Sequence, residues 1–220
     1  MTNEKSWEYG KSERFADNFS TAAEEKRMGR LKGSDKILQG WSKLRGLANE
    51  LEEAVQVTAT AVQHGGTVFV CGNGGSSADA EHIVGELMKS FLLKRPATDK
   101  VKRRLREKFG IRGKYIGSGL QSGIRAMSLT WHPALTTAFS NDVDGKLAFA
   151  QQLYVLGKKG DVLIAISTSG NAENVLNACR VAWAMGIKRI GLTGAHGGQL
   201  KKLCEYCLCV PEYETYRIQE

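Results

Sequence analysis

The chain has 220 residues, of which 42% are hydrophobic and 25% charged. That balance belongs to one water-soluble globular domain with additions at its ends, and with no apolar run long enough to cross a bilayer it excludes a membrane-spanning bundle. The net charge of +8 raises nucleic acid as a partner, but ten bases and two acids between Lys94 and Lys114 carry the whole excess and leave the remainder neutral.

The start, Met1-Thr2-Asn3-Glu4-Lys5, is too polar for a signal peptide, so the cytoplasm is the expected location. Residues 1–34 read as a polar arm. From Ser34, a plausible N-cap, the apolar residues Ile37, Leu38, Trp41, Leu44, Leu47, Leu51, Ala54 and Val55 recur at helical spacing, predicting a long helix that ends at Gly65-Gly66. Its broad apolar face must pack on its own sheet or on a partner subunit.

Strands and helices then alternate. Thr67–Cys71 reads as a strand and Ser76–Leu92 as a helix. A basic insertion follows over about 93–118. Arg125–Thr130 reads as a strand, Asp144–Leu156 as a helix, Asp161–Ile166 as a strand and Ala172–Met185 as a helix. Ile187–Leu192, a short helix over Gly198–Leu203 and a last strand, Tyr206–Val210, complete the series. Such alternation predicts an α/β fold, a parallel sheet covered on both faces, with ligands past the carboxyl ends of the strands. Three readings are open for the insertion: a solvated helix face, a lid or subunit contact near an anionic substrate, and nucleic-acid binding. The last ranks third, because the insertion holds only two aromatics, Phe109 and Tyr115.

Two loops at strand ends ask for a phosphate. Gly72-Asn73-Gly74-Gly75-Ser76-Ser77 lacks the Gly-Lys-Ser/Thr ending of a Walker A loop, and Ser77 stands where the dinucleotide fingerprint needs its third glycine. Ser167-Thr168-Ser169-Gly170 places three hydroxyls where a helix cap needs one, which favours a phosphate monoester over a simple cap. After the first loop, His82 and Glu86 share one helix face at i,i+4, close enough to hold a metal or a substrate together; an ordinary side-chain pair is the plain alternative. Ser140-Asn141-Asp142 forms a third polar cluster at an expected strand–helix junction, with a helix cap as the plain alternative. Cys204, Cys207 and Cys209 suggest zinc by proximity, but their spacing supplies no fourth ligand, and core packing is the stronger reading.

Together these stretches resemble the sedoheptulose-7-phosphate (phosphoheptose) isomerases of the sugar isomerase (SIS) superfamily. The likeness is carried by Cys71 to Leu87, Ala138 to Asp142, Ile166 to Val175, Gly191 to Gly194 with Gly197-Gly198, and Val210-Pro211 with Arg217-Ile218-Gln219-Glu220. It implies a three-layer, flavodoxin-like sandwich around a central parallel sheet, preceded by a long N-terminal helix. It also implies aldose–ketose isomerisation of a phosphosugar in a cytoplasmic homotetramer whose active sites lie between subunits. Substrate would be touched by Asn73, Gly74, Gly75, Ser76, Asn141, Asp142, Ser167, Thr168, Ser169 and Gln219. One zinc ion per subunit would be held by His82, Glu86 and Gln219, with Glu86 also the acid/base catalyst. No membrane contact is implied, and nucleic acid is not an expected partner.

Three departures from the family pattern stand out. Ala172 replaces a phosphate-binding serine, the basic insertion is absent from shorter members, and the family continues past the Arg-Ile-Gln-Glu motif into a helix bearing a metal-binding and catalytic histidine. That helix is expected to be missing here, since the sequence stops at Glu220. A non-catalytic phosphosugar sensor or partner-binding regulator is the competing reading. Retention of both His82 and Glu86 argues against it. An aldose–ketose isomerase for a sugar of different chain length is a third.

Overall fold

The computed structural model describes residues 42–219. The expected arm over 1–34 and the first turns of the expected helix, with Ser34, Ile37, Leu38 and Trp41, lie outside them. A 3-10 turn over Ser42–Leu47 leads into helix α1 (Ala48–Gln63), so the described part of the long N-terminal helix tightens around Gly46 before becoming α-helical. It ends where predicted. Gly65 has φ 77°, and a Cβ on Gly66 would lie 2.5 Å from the Gly160 carbonyl oxygen.

Five strands follow: β1 (Val68–Cys71), β2 (Ala126–Ser128), β3 (Val162–Ile166), β4 (Lys188–Thr193) and β5 (Tyr206–Cys209). They form one sheet in the order β2-β1-β3-β4-β5, and every pair is parallel. The chain runs from β1 to β2 in one direction, then returns across the sheet to β3 and onward. The order therefore reverses between β1 and β3, which is where open parallel sheets leave a crevice for ligands.

Both faces are covered, as the near-continuous apolar runs require. Phe69, Cys71, Leu163 and Ala165 pack with Phe149 and Leu153 of α5 (Ala148–Leu156) and with Val175, Leu176, Ala178, Cys179 and Ala182 of α6 (Glu173–Ala184). Val68, Val70 and Ile166 pack on the other face with Val62 of α1 and Ala80 and Val84 of α2 (Gly75–Met88). Alternate residues of β1 thus serve opposite layers, the period-2 signature of a strand. Among the described residues, no helix is long and apolar enough to cross a membrane.

Several boundaries differ from expectation. Helix α2 stops at Met88 rather than Leu92, because the chain rejoins the body there. Ile124 N–H donates to the Leu87 carbonyl at 2.8 Å, Arg95 Nη2 to the Lys89 carbonyl at 2.6 Å, and Gly123 lies against Met88 with no room for a Cβ. A short helix α4 (Pro133–Phe139) was not foreseen; it starts with proline at its first position, where the missing N–H costs nothing. The expected helix from Asp144 begins as an α-helix only at Ala148, after a 3-10 turn over Gly145–Leu147.

The basic insertion is a helical hairpin, α3 (Asp99–Gly119), folded back on itself at Gly110, whose φ is 54°. Its base is zipped by Ser122 N–H to the Arg95 carbonyl (2.7 Å) and Ala97 N–H to the Leu120 carbonyl (3.1 Å). Gly113 and Gly117 form the seam. A Cβ on Gly113 would collide with the Leu105 carbonyl, and one on Gly117 would sit 3.2 Å from Lys102 Cα.

Candidate active site

The loops after β1 and β3 leave adjacent strands on either side of the switch point, so the topology brings the two sequence-predicted phosphate loops together. Each is shaped by glycines that no other residue could replace. A Cβ on Gly72 would stand 2.6 Å from the Ser76 carbonyl oxygen, and Gly74 takes φ 56°, ψ −120°. The first helical bonds of α2 are made by Ser77 and Ala78 N–H to the Gly74 carbonyl. The amides of Gly74, Gly75 and Ser76 therefore precede the ladder and remain at the positive end of the helix dipole.

The hydroxyl loop is not a cap. Helix α6 begins at Glu173 with Ala172 as its N-cap residue and no side-chain cap bond, three positions beyond Ser169. Ser167, Thr168 and Ser169 instead form a turn closed by Gly170 N–H to the Ser167 carbonyl (3.0 Å). Ser167 Oγ accepts from Ala172 N–H at 3.5 Å and Ser169 Oγ from Asn171 N–H at 3.2 Å, which leaves each hydroxyl its proton to donate. Ser167 is buried; Ser169 is exposed.

Gly194 and Gly197-Gly198 have a task that their motif alone does not reveal. They hold the hydroxyl loop from behind. Gly194 N–H donates to the Thr168 carbonyl (3.1 Å), and Gln199 N–H to Asn171 Oδ1 (3.1 Å). Gly170, at φ 66°, lies so close to Gly197 that a Cβ would come within 2.2 Å of its carbonyl oxygen. Only glycine permits this backbone-on-backbone approach.

His82 Nε2 and Glu86 Oε1 stand 3.8 Å apart on the outer face of α2. The His82 side chain is 78% exposed and that of Glu86 34%. The other Glu86 oxygen, Oε2, is held by Lys89 Nζ at 2.5 Å. Two N/O ligands of one tetrahedral zinc lie about 3.4 Å apart, so this pair fits the edge of such a site with a small rotamer change.

Gln219, in the short helix α7 (Thr215–Gln219), is brought to α2 but to its first turn. Its Nε2 donates to Ser76 Oγ at 3.2 Å, and its amide fills the space where Gly75 has no Cβ. It would join His82 and Glu86 around a metal only by leaving Ser76. Among the described residues, no group of three or more His, Cys, Asp and Glu side chains is arranged to hold a metal ion.

Asn141 and Asp142 lie not at a strand–helix junction but in a wide helical turn, Ser140–Asp144, that continues α4. Asn141 Nδ2 donates to Asp142 Oδ1 at 2.8 Å, and both are exposed. A further carboxylate went unnoticed in the sequence: Glu81 Oε1 accepts from Thr130 Oγ1 at 3.0 Å, just past β2.

The remaining histidines have partners of their own. His132 Nδ1 lies 2.9 Å from Gln152 Oε1, His64 Nδ1 lies 2.7 Å from the Thr60 carbonyl oxygen, and His196 packs edge-on against Tyr213.

Cys179, Cys204, Cys207 and Cys209 line one seam between α6 and the β4–β5 edge, whereas Cys71 ends β1. Cys207 and Cys209 Sγ are 3.8 Å apart, and the missing Cβ of Gly191 leaves room for the Cys207 and Cys204 sulfurs. A hydrogen bond with Cys179, reinforced by burial, pushes the Cys204 thiol up, and burial pushes that of Cys207 up to about 12. Protonated thiols of this kind pack as small hydrophobes.

Comparison with known proteins places this geometry. An SIS domain model matches residues 34–107 and 111–194. The phosphoheptose isomerase of Akkermansia muciniphila is 32% identical over 184 residues, covering 84% of each chain. That of Aliarcobacter butzleri is 38% identical over 170 residues, covering 77% of this chain and 76% of its own. The structure of a phosphoheptose isomerase from Francisella tularensis superimposes with a TM-score of 0.66 at 27% identity, over 90% of this chain and 91% of that one. The corresponding structure from Neisseria gonorrhoeae gives 0.63 at 28% identity over the same shares. By sheet order, loop geometry and kinship alike, the chain belongs to the SIS-domain phosphoheptose isomerase family.

Proposed function

We propose that the protein is a phosphosugar isomerase that interconverts sedoheptulose 7-phosphate and D-glycero-D-manno-heptose 7-phosphate through an enediol. The observation that carries this reading is the pairing, across the β1/β3 switch point, of an amide-lined loop and a three-hydroxyl loop free of capping duty, with His82 and Glu86 on the helix leaving the first.

Ser167, Thr168 and Ser169 bind the phosphate, the remote group whose binding energy positions the reacting end. Asn73, Gly74, Gly75 and Ser76 meet the sugar at the dipole end of α2, where amide N–H groups stabilise oxygen charge as the enediolate develops. Asn141, Asp142 and Gln219 complete the contacts to its hydroxyls.

Glu86 is the base. In the ketose-to-aldose direction its carboxylate takes the proton from C1 and returns it to C2, while the O1 proton is lost and O2 gains one. The two carboxylate oxygens are already differentiated: one faces His82 and the other rests on Lys89. His82 and Glu86 are the donors that would hold zinc, with Gln219 joining if it gives up Ser76; the metal would polarise the sugar oxygens.

The exposure of His82, and of Met88, Phe91, Leu92 and Leu93 at and beyond the end of the same helix, supports an oligomer, which we take to be a homotetramer, in which a neighbouring copy closes the site. Five free thiols suit the reducing cytoplasm.

One observation favours the regulatory reading: Ala172 offers the phosphate no hydroxyl at the helix start. The test is an assay of the full-length protein with zinc present. Turnover of sedoheptulose 7-phosphate supports the isomerase. Thermal stabilisation by the sugar phosphate without turnover supports the sensor.

A further inference from the structure

Two loops grip the substrate in this reading, and something must keep them in register. The structure joins them through a single pair of side chains. Asn73, in the Gly-rich loop, and Asn174, in the first turn of α6, lie edge to edge: Asn73 Nδ2 donates to Asn174 Oδ1 at 2.8 Å, and Asn174 Nδ2 donates to Asn73 Oδ1 at 2.8 Å. Among the described residues these are the only side-chain hydrogen bonds between the two loop–helix units. The partners are 101 residues apart in sequence.

Helix energetics do not explain Asn174. The N-cap position belongs to Ala172, and asparagine inside a first turn is a poor helix former. Its Oδ1 does accept from the neighbouring Val175 N–H at 3.0 Å, but the rest of the amide points across the crevice. Nor does global stability explain it, since a partly exposed amide pair is worth about 1 kcal/mol or less. The pair does constrain geometry. Each amide spends one N–H and one lone pair on the other, so Asn73 retains one N–H and one lone pair and cannot turn away without breaking both bonds.

We propose that Asn174 is a positioning residue for the sugar. It acts through Asn73, locking the Gly-rich loop at a set distance from the hydroxyl loop so that one substrate molecule engages both its phosphate and its carbonyl end. The inference rests on the isomerase reading for its substrate, but its physical content is the coupling of two loops. The hydroxyl loop has its own anchors in Gly194, Gly197 and Gln199, so loss of Asn174 leaves the phosphate cradle standing and loosens only the other half.

The experiment compares Asn73→Ala, Asn174→Ala, the double variant and the same-sized Asn174→Asp, using sedoheptulose 7-phosphate as substrate and inorganic phosphate as competitive ligand. Displacement of a reacting end by a fraction of an ångström predicts that N174A and N174D each lower kcat/KM about tenfold. N73A/N174A should fall no lower than N73A alone, the non-additivity of residues acting as a unit. Inorganic phosphate affinity should stay within about twofold of wild type, because a fixed cradle needs no help from Asn174. Independent, additive losses would overturn the proposal, as would an equal loss of phosphate and sugar-phosphate affinity or a wild-type-like N174D. If the wild type binds the sugar phosphate without turning it over, the isomerase reading fails while this one is read by calorimetry. The ratio of the two affinities then falls about tenfold in N174A, and an unchanged ratio contradicts the inference.

Discussion

The crevice at the β1/β3 switch point and the hairpin α3 both present donors to an anion, but by opposite means. The crevice uses few charges. Its donors are backbone amides and hydroxyls held by backbone-on-backbone contacts, in which Gly72, Gly170 and Gly198 leave no room for a Cβ. The hairpin carries eight bases against two acids, most of the chain's charge excess, on a seam made of Gly113 and Gly117, and several of its apolar side chains point outward: Ile111 at its tip is 90% exposed, Tyr115 73%. It contains an open groove of about 560 Å³ edged by Lys102, Arg103, Arg106 and Lys114. Fixed donors orient a ligand; mobile surface cations only concentrate it. That difference is the reason the proposed chemistry is placed in the crevice.

Substitutions in the two regions should have very different effects. Glu86→Gln should lower kcat about a thousandfold with little change in sugar-phosphate affinity, the loss expected for a general base, measured by steady-state kinetics beside calorimetry. Gly170→Ala attacks the cradle's frame. The forced contact with Gly197 and the positive φ predict a loss of about 3 kcal/mol in chemical denaturation, together with loss of phosphate binding.

Ala172→Ser restores a hydroxyl at an N-cap position with extended backbone and should gain about 1 kcal/mol in the same denaturation assay. A tighter phosphate complex would sharpen the assignment of the crevice.

The Cys207 thiol tests the packing beneath it. Its ordinary value is 9.0 and burial pushes it to about 12. The unfolded chain therefore releases this proton first, and the contribution present below pH 9.0 is lost as pH rises toward about 12. Cys207→Val should make the decline of Tm across that window shallower.

The smallest effect is expected on the hairpin. Neutralising Lys102, Arg103, Arg106 and Lys114 to glutamine should change stability by no more than about 0.5 kcal/mol and leave kcat/KM nearly intact. A loss of activity as large as that of Glu86→Gln would move the site to the hairpin.

Much of this was legible in the sequence wherever local pattern and global fold agreed. The β-branched runs at Val68–Cys71 and Val162–Ile166 could be little but buried parallel strands, and their loops declared themselves by composition. What escaped was non-local. Gly113 reads as a helix breaker until the facing Leu105 carbonyl is seen to need its space. Helix α2 ends at Met88 because Arg95 and Ile124 fold back upon it, an event no window around residue 88 reveals. Asn141 and Asp142 read as lying at a strand–helix junction because helix α4 is short and its threonines hide it. Gln219 was matched to His82 and Glu86 by motif, yet its amide rests on Ser76, and Asn174 drew no notice because its partner is a hundred residues away.

The most direct measurement is a crystal structure with sedoheptulose 7-phosphate bound. Phosphoryl oxygens are expected within about 3.2 Å of the Ser167, Thr168 and Ser169 hydroxyls or amides, with C1 and C2 facing Glu86. Phosphoryl oxygens seated among Lys102, Arg103, Arg106 and Lys114 instead would contradict this placement.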